Sequence, residues 1–542
     1  MRGPASRRAV CGVVLCALLA ACGDLDRTRL RARFGNVAAQ LALGRAYAEG
    51  EGVEADVQEA ARWYGEAADQ GRPEALIALV VLYATGGAAG DADPEQAKAW
   101  AERAAREGRT QELLALAARH REGDGMRADP RTSAAILRAL ADAGDAEAQF
   151  RLGRQYAMGE GMLLDLGAAA NWYEKAALQG HAEAQNFLGF LYVIDAGPPR
   201  DYPKASGWFE KAAEQGQLEA MLNLGRMYEK GLGVEADAAK ADALIQRAAE
   251  GGVAEAEYQW ALRPPEGADA DAHLLEWAGR AAAQGHSGAA LRLAAWHADG
   301  EGGQPDAAEA LRWYRVGAEA GDPRSQYELA DRLADGIGAD ADPEEAFAWM
   351  RKAAGQGHVP AMNKMGILYQ YGIGTEASPS EAVVWYERAA QRGSSEGMLN
   401  LALAMARGDA GRQDDFAGAY PWIRRAAEAG LADAQLVLGL WLRAGRGTEA
   451  DPDEAFVWIE RAARQNHPVA LTQLGASFEK GVGVEADPVR AHMAYALAVD
   501  AGLDDARGDR DRLARRLSAA QRSRSAALAG QWAEAGEATP AE

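Results

Sequence analysis

The sequence lacks an excess of basic residues. Its 542 residues include 58 Lys and Arg against 80 Asp and Glu, which gives a formal net charge of −22. Because proteins bind phosphate backbones through Lys and Arg, this balance argues against a nucleic acid partner. The acidic surface is explained by solubility alone.

Catalytic motifs are also missing. The sequence has no G-x-S-x-G, no H-E-x-x-H and no phosphate-binding glycine loop. Ser477 to Lys480 match the S-x-x-K spacing of penicillin-interacting enzymes, but the S-D-N and K-T-G partners are absent and the match coincides with a repeated helix end. We therefore expect no enzyme activity and no cofactor. A cell-wall or β-lactam-active enzyme remains only as a third hypothesis.

Cysteine is scarce and confined to the N-terminus, at Cys11, Cys16 and Cys22. The basic segment MRGPASRR precedes an apolar stretch over 9–21 that is too short for a membrane span of about 20 residues and is typical of a secretory signal. The LAAC segment at 19–22 resembles the lipobox of bacterial lipoprotein precursors. This resemblance implies that residues 1–21 are a signal peptide and that Cys22 is lipidated. Cleavage would leave one cysteine, so no internal disulfide could form.

The lipobox resemblance also implies a location in the cell envelope, with the chain facing the periplasm. Gly23 follows Cys22, where an Asp holds some lipoproteins at the inner membrane, so the outer membrane is favoured. Residues 22–35 are interpreted as a lipid-anchored tether. Its arginines either attract anionic lipid headgroups or lie on a solvated first helix.

Glycine closes a unit of about 36 residues along most of the chain. The thirteen closing residues are Gly71, Gly108, Gly144, Gly180, Gly216, Gly252, Gly285, Gly321, Gly357, Gly393, Gly430, Asn466 and Gly502. Gly and Asn tolerate the left-handed conformation that follows a helix end, so each closing residue predicts a helix C-terminus.

Each unit predicts two helices. Helix B begins at an N-cap such as Asp93 before Pro94. It carries Trp eight residues before the closing residue in ten units, which predicts a core position. Helix A carries a Leu-Gly pair such as Leu152-Gly153, and its recurring small residue predicts close approach by another helix.

Thirteen such helix pairs predict an all-α fold, an α-solenoid of antiparallel repeats in a curved superhelix. The pattern A-x-x-x-L-G-x-x-Y-x-x-G-x-G-V followed by A-x-x-W-Y-x-x-A-A-x-x-G resembles the Sel-one-like repeat family, relatives of the tetratricopeptide repeats, over residues 36–506. The resemblance implies protein–protein binding. Repeats 1–6 are predicted over 36–252 and repeats 8–13 over 288–506. Repeat 7, at 253–287, is three residues short and forms either a bend or a harmless deletion.

Residues 507–542 predict one capping helix and a disordered tail. Four apolar residues share a face of this helix, namely Leu513, Leu517, Leu528 and Trp532. A basic patch on it comprises Arg512, Arg515, Arg516 and Arg522. The patch either balances the acidic body or docks an acidic partner.

Histidine is scarce, and four of the eight follow a closing residue, at His181, His286, His358 and His467. They are spread along the array and are interpreted as part of the repeat turn, so no metal site is expected.

Helix A lines the binding groove in related solenoids, and the residue before the Leu of Leu-Gly is polar or large from repeat 4 to repeat 11. The candidate partner-binding residues in this row are Arg151, Asn223, Arg292, Lys364 and Asn400. They could hold a partner's backbone or carboxylates, or form a solvated or partly packed helix face.

The sequence therefore predicts a lipid-anchored envelope scaffold or adaptor that binds other envelope proteins without catalysis. The alternative is an accessory lipoprotein of exopolysaccharide export. The alginate-export lipoprotein is similar in plan, with a lipobox followed by a repeat solenoid.

Overall fold

A computed structural model describes residues 24–537, apart from positions 89, 125–126, 196, 302 and 410–413. These described residues form 29 α-helices and one 3-10 turn, without a strand among them. The predicted signal peptide, Cys22 and the last five residues of the predicted tail lie outside the described residues.

Thirteen consecutive helix pairs account for most of the chain, and we number them repeats 1 to 13. Helices A and B of repeats 1–6 are Val37–Glu49 and Val57–Asp69, Pro73–Thr85 and Pro94–Arg106, Thr110–Glu122 and Pro130–Asp142, Ala146–Met158 and Leu166–Leu178, Ala182–Ile194 and Tyr202–Glu214, and Leu218–Lys230 and Ala238–Glu250. Those of repeats 7–13 are Ala254–Ala261 and Ala270–Ala283, Ser287–Asp299 and Ala307–Glu319, Pro323–Asp335 and Pro343–Gly355, Val359–Tyr371 and Pro379–Gln391, Ser395–Ala406 and Phe416–Glu428, Ala432–Ala444 and Pro452–Arg464, and Pro468–Lys480 and Pro488–Asp500. The all-α solenoid is confirmed.

The chain divides into two compact units, Met1–Arg263 and Pro264–Glu542. The boundary lies in repeat 7, whose helix A has only eight residues. Pro264 and Pro265 lie just beyond this helix, after Leu262 and Arg263. Proline both removes an amide donor and disfavours helix in the residue before it. The bend at repeat 7 stays a prediction.

Local capping fixes the helix ends as predicted. Asp93 accepts a hydrogen bond from the Gln96 amide at 3.0 Å, which begins helix B of repeat 2. The closing residues adopt the left-handed conformation, with φ of +90° at Gly180 and +56° at Asn466. The four turn histidines cap helix A, as His181 does by accepting from the Ala184 amide at 3.3 Å.

The glycine of Leu-Gly lies against a bulky side chain from helix B of the same repeat, which is an aromatic ring in most repeats and Ile245 or Ile459 at Gly225 and Gly439. A Cβ at Gly153 would lie 2.7 Å from Tyr173 Cδ1, closer than real Cβ contacts allow. Gly475 has the same relation to Tyr495, at 2.9 Å. The predicted close approach is confirmed, and its partner is the residue after the tryptophan position.

The predicted burial of tryptophan holds for three of the ten. Trp63, Trp172 and Trp458 are buried, and the other seven are half-buried at the edge of the core. In eight repeats a Lys or Arg three residues later lies over the ring, as Lys175 does with Nζ 3.6 Å from the Trp172 centroid. The central core position belongs to the next residue instead, such as Tyr173 at 1% exposure.

Two contacts join successive repeats. The second glycine of the G-x-G turn lies on the start of helix B of the repeat before it, so a Cβ at Gly161 would lie 2.5 Å from the Pro130 carbonyl carbon. Its φ of +77° is a second reason for glycine there. This requirement ties the turn of one repeat to the helix of another.

The second contact is a buried glutamine in helix A. Gln149 donates to the Ala141 carbonyl of repeat 3 at 3.0 Å and accepts from Gln179 Nε2 at 2.8 Å. Gln179 also donates to the Gly144 carbonyl at 3.1 Å. The same glutamine pair recurs in repeats 1, 5, 9 and 12.

The first described segment is helical. Asp24–Arg33 forms a helix whose Leu25 and fully buried Ala32 pack against repeat 1. This part of the predicted tether is therefore helical, and the attraction of its arginines to anionic lipid headgroups stays a prediction.

The prediction of a single capping helix was wrong. The chain forms two helices, Arg507–Arg516 and Ala519–Glu537, with Leu517 extended between them at φ −88° and ψ 141°. Ser518 and Gln521 exchange hydrogen bonds between their side chains and backbone amides, a capping box that begins the second helix. The Leu pattern ran through this break because both helices pack on repeat 13.

Candidate functional site

Two asparagines of the predicted row join neighbouring helices A. Asn223 Nδ2 donates to Asn186 Oδ1 at 2.9 Å, and Asn400 Nδ2 donates to Asn363 Oδ1 at 2.9 Å. Each pair spans two successive repeats; Asn186 is buried and the other three asparagines are half-buried. These side chains already stabilise a repeat junction.

Two cations of the row also have partners within the chain. Lys364 Nζ lies 2.7 Å from Asp331 Oδ1 on helix A of the preceding repeat. Arg292 Nη2 lies 2.6 Å from Glu301 Oε2 in the turn of its own repeat. As partner-binding residues these four side chains stay predictions.

Arg151, the fifth residue of the row, lines a pocket of about 300 Å³ between repeats 3 and 4. The pocket is lined by Ala117, Ala118, Arg121, Glu122, Ser133, Leu137, Glu147, Phe150, Arg151, Arg154 and Gln155. Helices A of both repeats and helix B of repeat 3 supply these residues. We call it the repeat 3–4 pocket.

Glu147 is held ionised at one side of this pocket. Burial favours its neutral form, but hydrogen bonds with His181 Nε2 at 2.9 Å and Arg151 Nε at 2.5 Å outweigh that effect and lower the pKa of Glu147 below its ordinary value. Arg151 also directs Nη1 toward the Leu114 carbonyl at 3.5 Å. Its Nη2 has no partner among the described residues.

Two other polar atoms of the pocket residues are buried without a hydrogen bond. Gln155 is 2% exposed and donates to Ser133 Oγ at 3.0 Å, while its Oε1 has no partner in the described part of the chain. Arg154 Nε likewise has none there. Buried polar groups are normally paired, so the pocket has an unused acceptor and an unused donor.

An exposed apolar stripe runs along helix A of repeat 5, beside the pocket. Phe187, Phe190 and Ile194 are 38%, 45% and 42% exposed, and their i, i+3, i+7 spacing places them on one face. Phe150 connects the two features, because it lines the pocket and its ring centroid lies 5.7 Å from that of Phe187. We call Phe187, Phe190 and Ile194 the repeat 5 stripe.

Sequence reasoning found Arg151 but missed Arg154, Gln155 and the repeat 5 stripe. The stripe could have been found from the sequence. Phe190 and Ile194 align with Arg154 and Met158 of the previous repeat, so an aromatic residue replaces a charged one in the row. The unpaired atoms could not have been found from the sequence, since hydrogen bonding depends on side-chain geometry.

Comparison with known families identifies the repeat. The Sel1 repeat model matches twelve segments, at 37–71, 73–108, 113–145, 146–181, 182–217, 218–253, 287–322, 323–358, 359–394, 395–431, 432–467 and 468–503. The protein belongs to the Sel1 repeat family. The segment between the sixth and seventh matches is the short repeat 7, which departs from the family pattern.

Solved structures of Sel1 proteins resemble the chain. A protective antigen of uropathogenic Escherichia coli with an SLR fold is 26% identical, with a TM-score of 0.54, and the alignment covers 96% of this chain and 98% of that one. A Sel1 repeat protein of Oxalobacter formigenes is 28% identical over 63% of this chain and 88% of that one, with a TM-score of 0.32. No curated protein matches the sequence. Sel1 repeat proteins are generally scaffolds for protein interaction.

The predicted basic patch of this Sel1 protein is partly committed to its own fold. Arg512 forms ion pairs with Glu479 and Asp509. Arg522 Nη1 donates to the Leu517 carbonyl at 2.6 Å, at the C-terminus of the helix Arg507–Arg516. Arg515 and Arg516 are exposed, and their docking role stays a prediction.

Ser477 of the S-x-x-K match is 2% exposed at the end of helix A of repeat 13, while Lys480 is exposed. A serine this buried is not accessible to a substrate.

The described residues contain neither a cluster of three or more His, Cys, Asp or Glu suited to a metal ion nor a helix with the length and apolar character of a membrane span.

Proposed function

We propose that this Sel1 protein is a lipid-anchored adaptor of the cell envelope that holds other envelope proteins against the helix A face of its repeats. One observation carries the proposal. In repeats 3–5 that face combines a charged pocket with an exposed apolar stripe. A polar site beside apolar anchors is typical of protein-binding surfaces.

The membrane part of the proposal depends on the lipobox resemblance at Cys22. Lipidation would concentrate the array at one membrane, and Gly23 favours the outer one. Replacement of Cys22 by Ala is then expected to release the protein from the membrane fraction into the soluble periplasm, measured by fractionation and immunoblotting. Retention of Cys22→Ala in the membrane would contradict anchoring by this residue.

Site-specific crosslinking in cells tests the adaptor role. A photoreactive phenylalanine analogue at position 190 probes the repeat 5 stripe. The same analogue at position 178 is the control, because Leu178 is 71% exposed at the end of helix B of repeat 4. We expect a discrete envelope protein to be crosslinked from 190 and not from 178, with mass spectrometry naming it.

Two outcomes would change the proposal. Equal crosslinking from both positions would contradict a specific helix A surface. Specific recovery of an outer-membrane porin of polysaccharide export would favour the alternative, an accessory lipoprotein of exopolysaccharide secretion.

A further inference from the structure

We infer that the repeat 3–4 pocket and the repeat 5 stripe together bind a peptide segment that carries a carboxylate next to apolar side chains. The inference rests on the proposed adaptor function and adds the chemistry of the partner. It is carried by the charge of the pocket, by its two unpaired buried atoms, and by the stripe that adjoins it.

The pocket is basic in an acidic protein. Its lining contains Arg121, Arg151 and Arg154 together with Glu122 and Glu147, which leaves one positive charge in excess where the whole chain carries −22. Arg121 pairs with Glu122, and Arg151 uses Nε for Glu147. Arg154 has no ion pair among the described residues, so its guanidinium is the site for an added carboxylate.

The unpaired atoms distinguish a peptide from a simple anion. Arg154 Nε requires an acceptor, and Gln155 Oε1 requires a donor. An inorganic anion such as sulfate supplies acceptors alone. A peptide supplies both, because its carboxylate accepts from Arg154 while a backbone amide donates to Gln155.

The stripe defines what adjoins the carboxylate. Phe150 forms part of the pocket wall and contacts Phe187, so a bound segment passes from Arg154 directly onto exposed aromatic surface. Phe190 and Ile194 extend that surface along the same helix face. Apolar side chains of the peptide would cover them and remove apolar area from water.

The carboxylate has two possible sources, an Asp or Glu side chain or a free C-terminus. A library that displays random octapeptides with free C-termini, selected on the full-length protein, identifies binders without assuming a source. Each enriched peptide is then resynthesised with a fluorescein label in four forms: free acid, C-terminal amide, acidic residue changed to its amide, and both changes together. Fluorescence anisotropy measures the dissociation constant of each form.

We expect enriched peptides to combine an acidic group with at least one large apolar residue. Removal of the relevant carboxylate should weaken binding about tenfold, the usual effect of losing a charge-assisted hydrogen bond. Loss on C-terminal amidation would assign the C-terminus, and loss on the Asp or Glu change would assign the side chain. Enriched peptides that bind equally well in all four forms, or no enrichment, would overturn the inference and leave a pocket filled by solvent.

Variants locate the binding. Arg154→Leu should weaken binding about tenfold, and Phe190→Ser should weaken it for every form of the peptide. Arg45→Leu is the matched control, because Arg45 also follows Leu-Gly in helix A but pairs with Glu49 in repeat 1. Unchanged affinity in Arg154→Leu, with far-UV circular dichroism matching the native protein, would contradict the assignment.

The failures of the two proposals are distinguishable. Crosslinking from position 190 together with carboxylate-independent binding would retain the adaptor and reject this inference. Carboxylate-dependent peptide binding without any crosslinked envelope protein would retain the pocket chemistry and reject the adaptor role in the envelope.

Discussion

The helix A glycine, which follows Leu in most repeats and Met365 in repeat 10, gives a direct test of how the two helices of a repeat pack. In repeat 10 a Cβ at Gly366 would lie 2.5 Å from Tyr386 Cδ1. Tyr386 is 1% exposed, and its hydroxyl donates to Gln370 Oε1 at 2.9 Å. The ring is therefore held both by packing and by its hydroxyl, and it cannot move aside freely.

Gly366→Ala should therefore destabilise the protein despite the better helix propensity of Ala. Overpacking a core costs about 1–3 kcal/mol, and an overlap with three ring atoms belongs at the upper end of that range. The propensity gain offsets about 1 kcal/mol. We expect a net loss of about 2 kcal/mol in the free energy of unfolding.

Gly355→Ala is the matched control. Gly355 is also helical, at the end of helix B of repeat 9, and a Cβ there would meet nothing within 4 Å. The same chemical change should then stabilise the protein by about 0.5–1 kcal/mol.

Urea unfolding followed by far-UV circular dichroism gives both values. A double variant, Gly366→Ala with Tyr386→Leu, tests the cause, because without the ring the added methyl group should cost much less than it does alone. The packing argument fails if Gly366→Ala raises the unfolding midpoint as Gly355→Ala does. It also fails if the two changes in the double variant are additive.

Three further predictions concern the joints between elements. Gly374→Ala should lower the urea midpoint more than Gly393→Ala does. Both glycines have positive φ, but only a Cβ at Gly374 would also overlap the preceding repeat. Equal decreases in the midpoint would contradict the turn contact. Gln149→Leu should cost about 1–3 kcal/mol in the same assay by unpairing buried polar groups, and a neutral effect would contradict its role. The Arg512 guanidinium lowers the pKa of Glu479, so this pair stabilises the fold above about pH 4.5 and loses that effect as the pH falls further. As the pH falls below about 4.5, amide hydrogen exchange in residues 507–537 should therefore accelerate in the native protein. In Glu479→Gln the carboxylate is absent, so this acceleration should be lost.

Much of the fold was predictable because specific residue types mark the helix ends of each repeat. A left-handed Gly180 or Asn466 and an N-cap such as Asp93 are local requirements, and they recur at fixed spacing. The capping region was mispredicted because apolar periodicity was followed through Leu517, although the S-x-x-Q capping box beginning at Ser518 was visible in the sequence.

The candidate site was less predictable than the fold. The row containing Arg151 was identified by its register, but register alone does not distinguish a side chain that pairs within the chain from one that is unpaired. Asn223 and Arg154 are equally polar in the sequence. The first is bonded to the neighbouring repeat, whereas the second has an unpaired Nε.

The location of the pocket follows from how repeat arrays are stabilised. Stability in such arrays is approximately a sum of repeat and nearest-neighbour terms, so a junction can lose one contact if another remains. Repeat 6 uses Asn223 to hold its neighbour, and repeat 4 has arginines at its pocket instead. The junction between repeats 3 and 4 keeps the buried Gln149–Gln179 pair, which bonds back to repeat 3. Because that pair and the Gln155–Ser133 hydrogen bond already hold the junction, Arg154, which forms no ion pair in the described part of the chain, can recognise a partner without weakening the array.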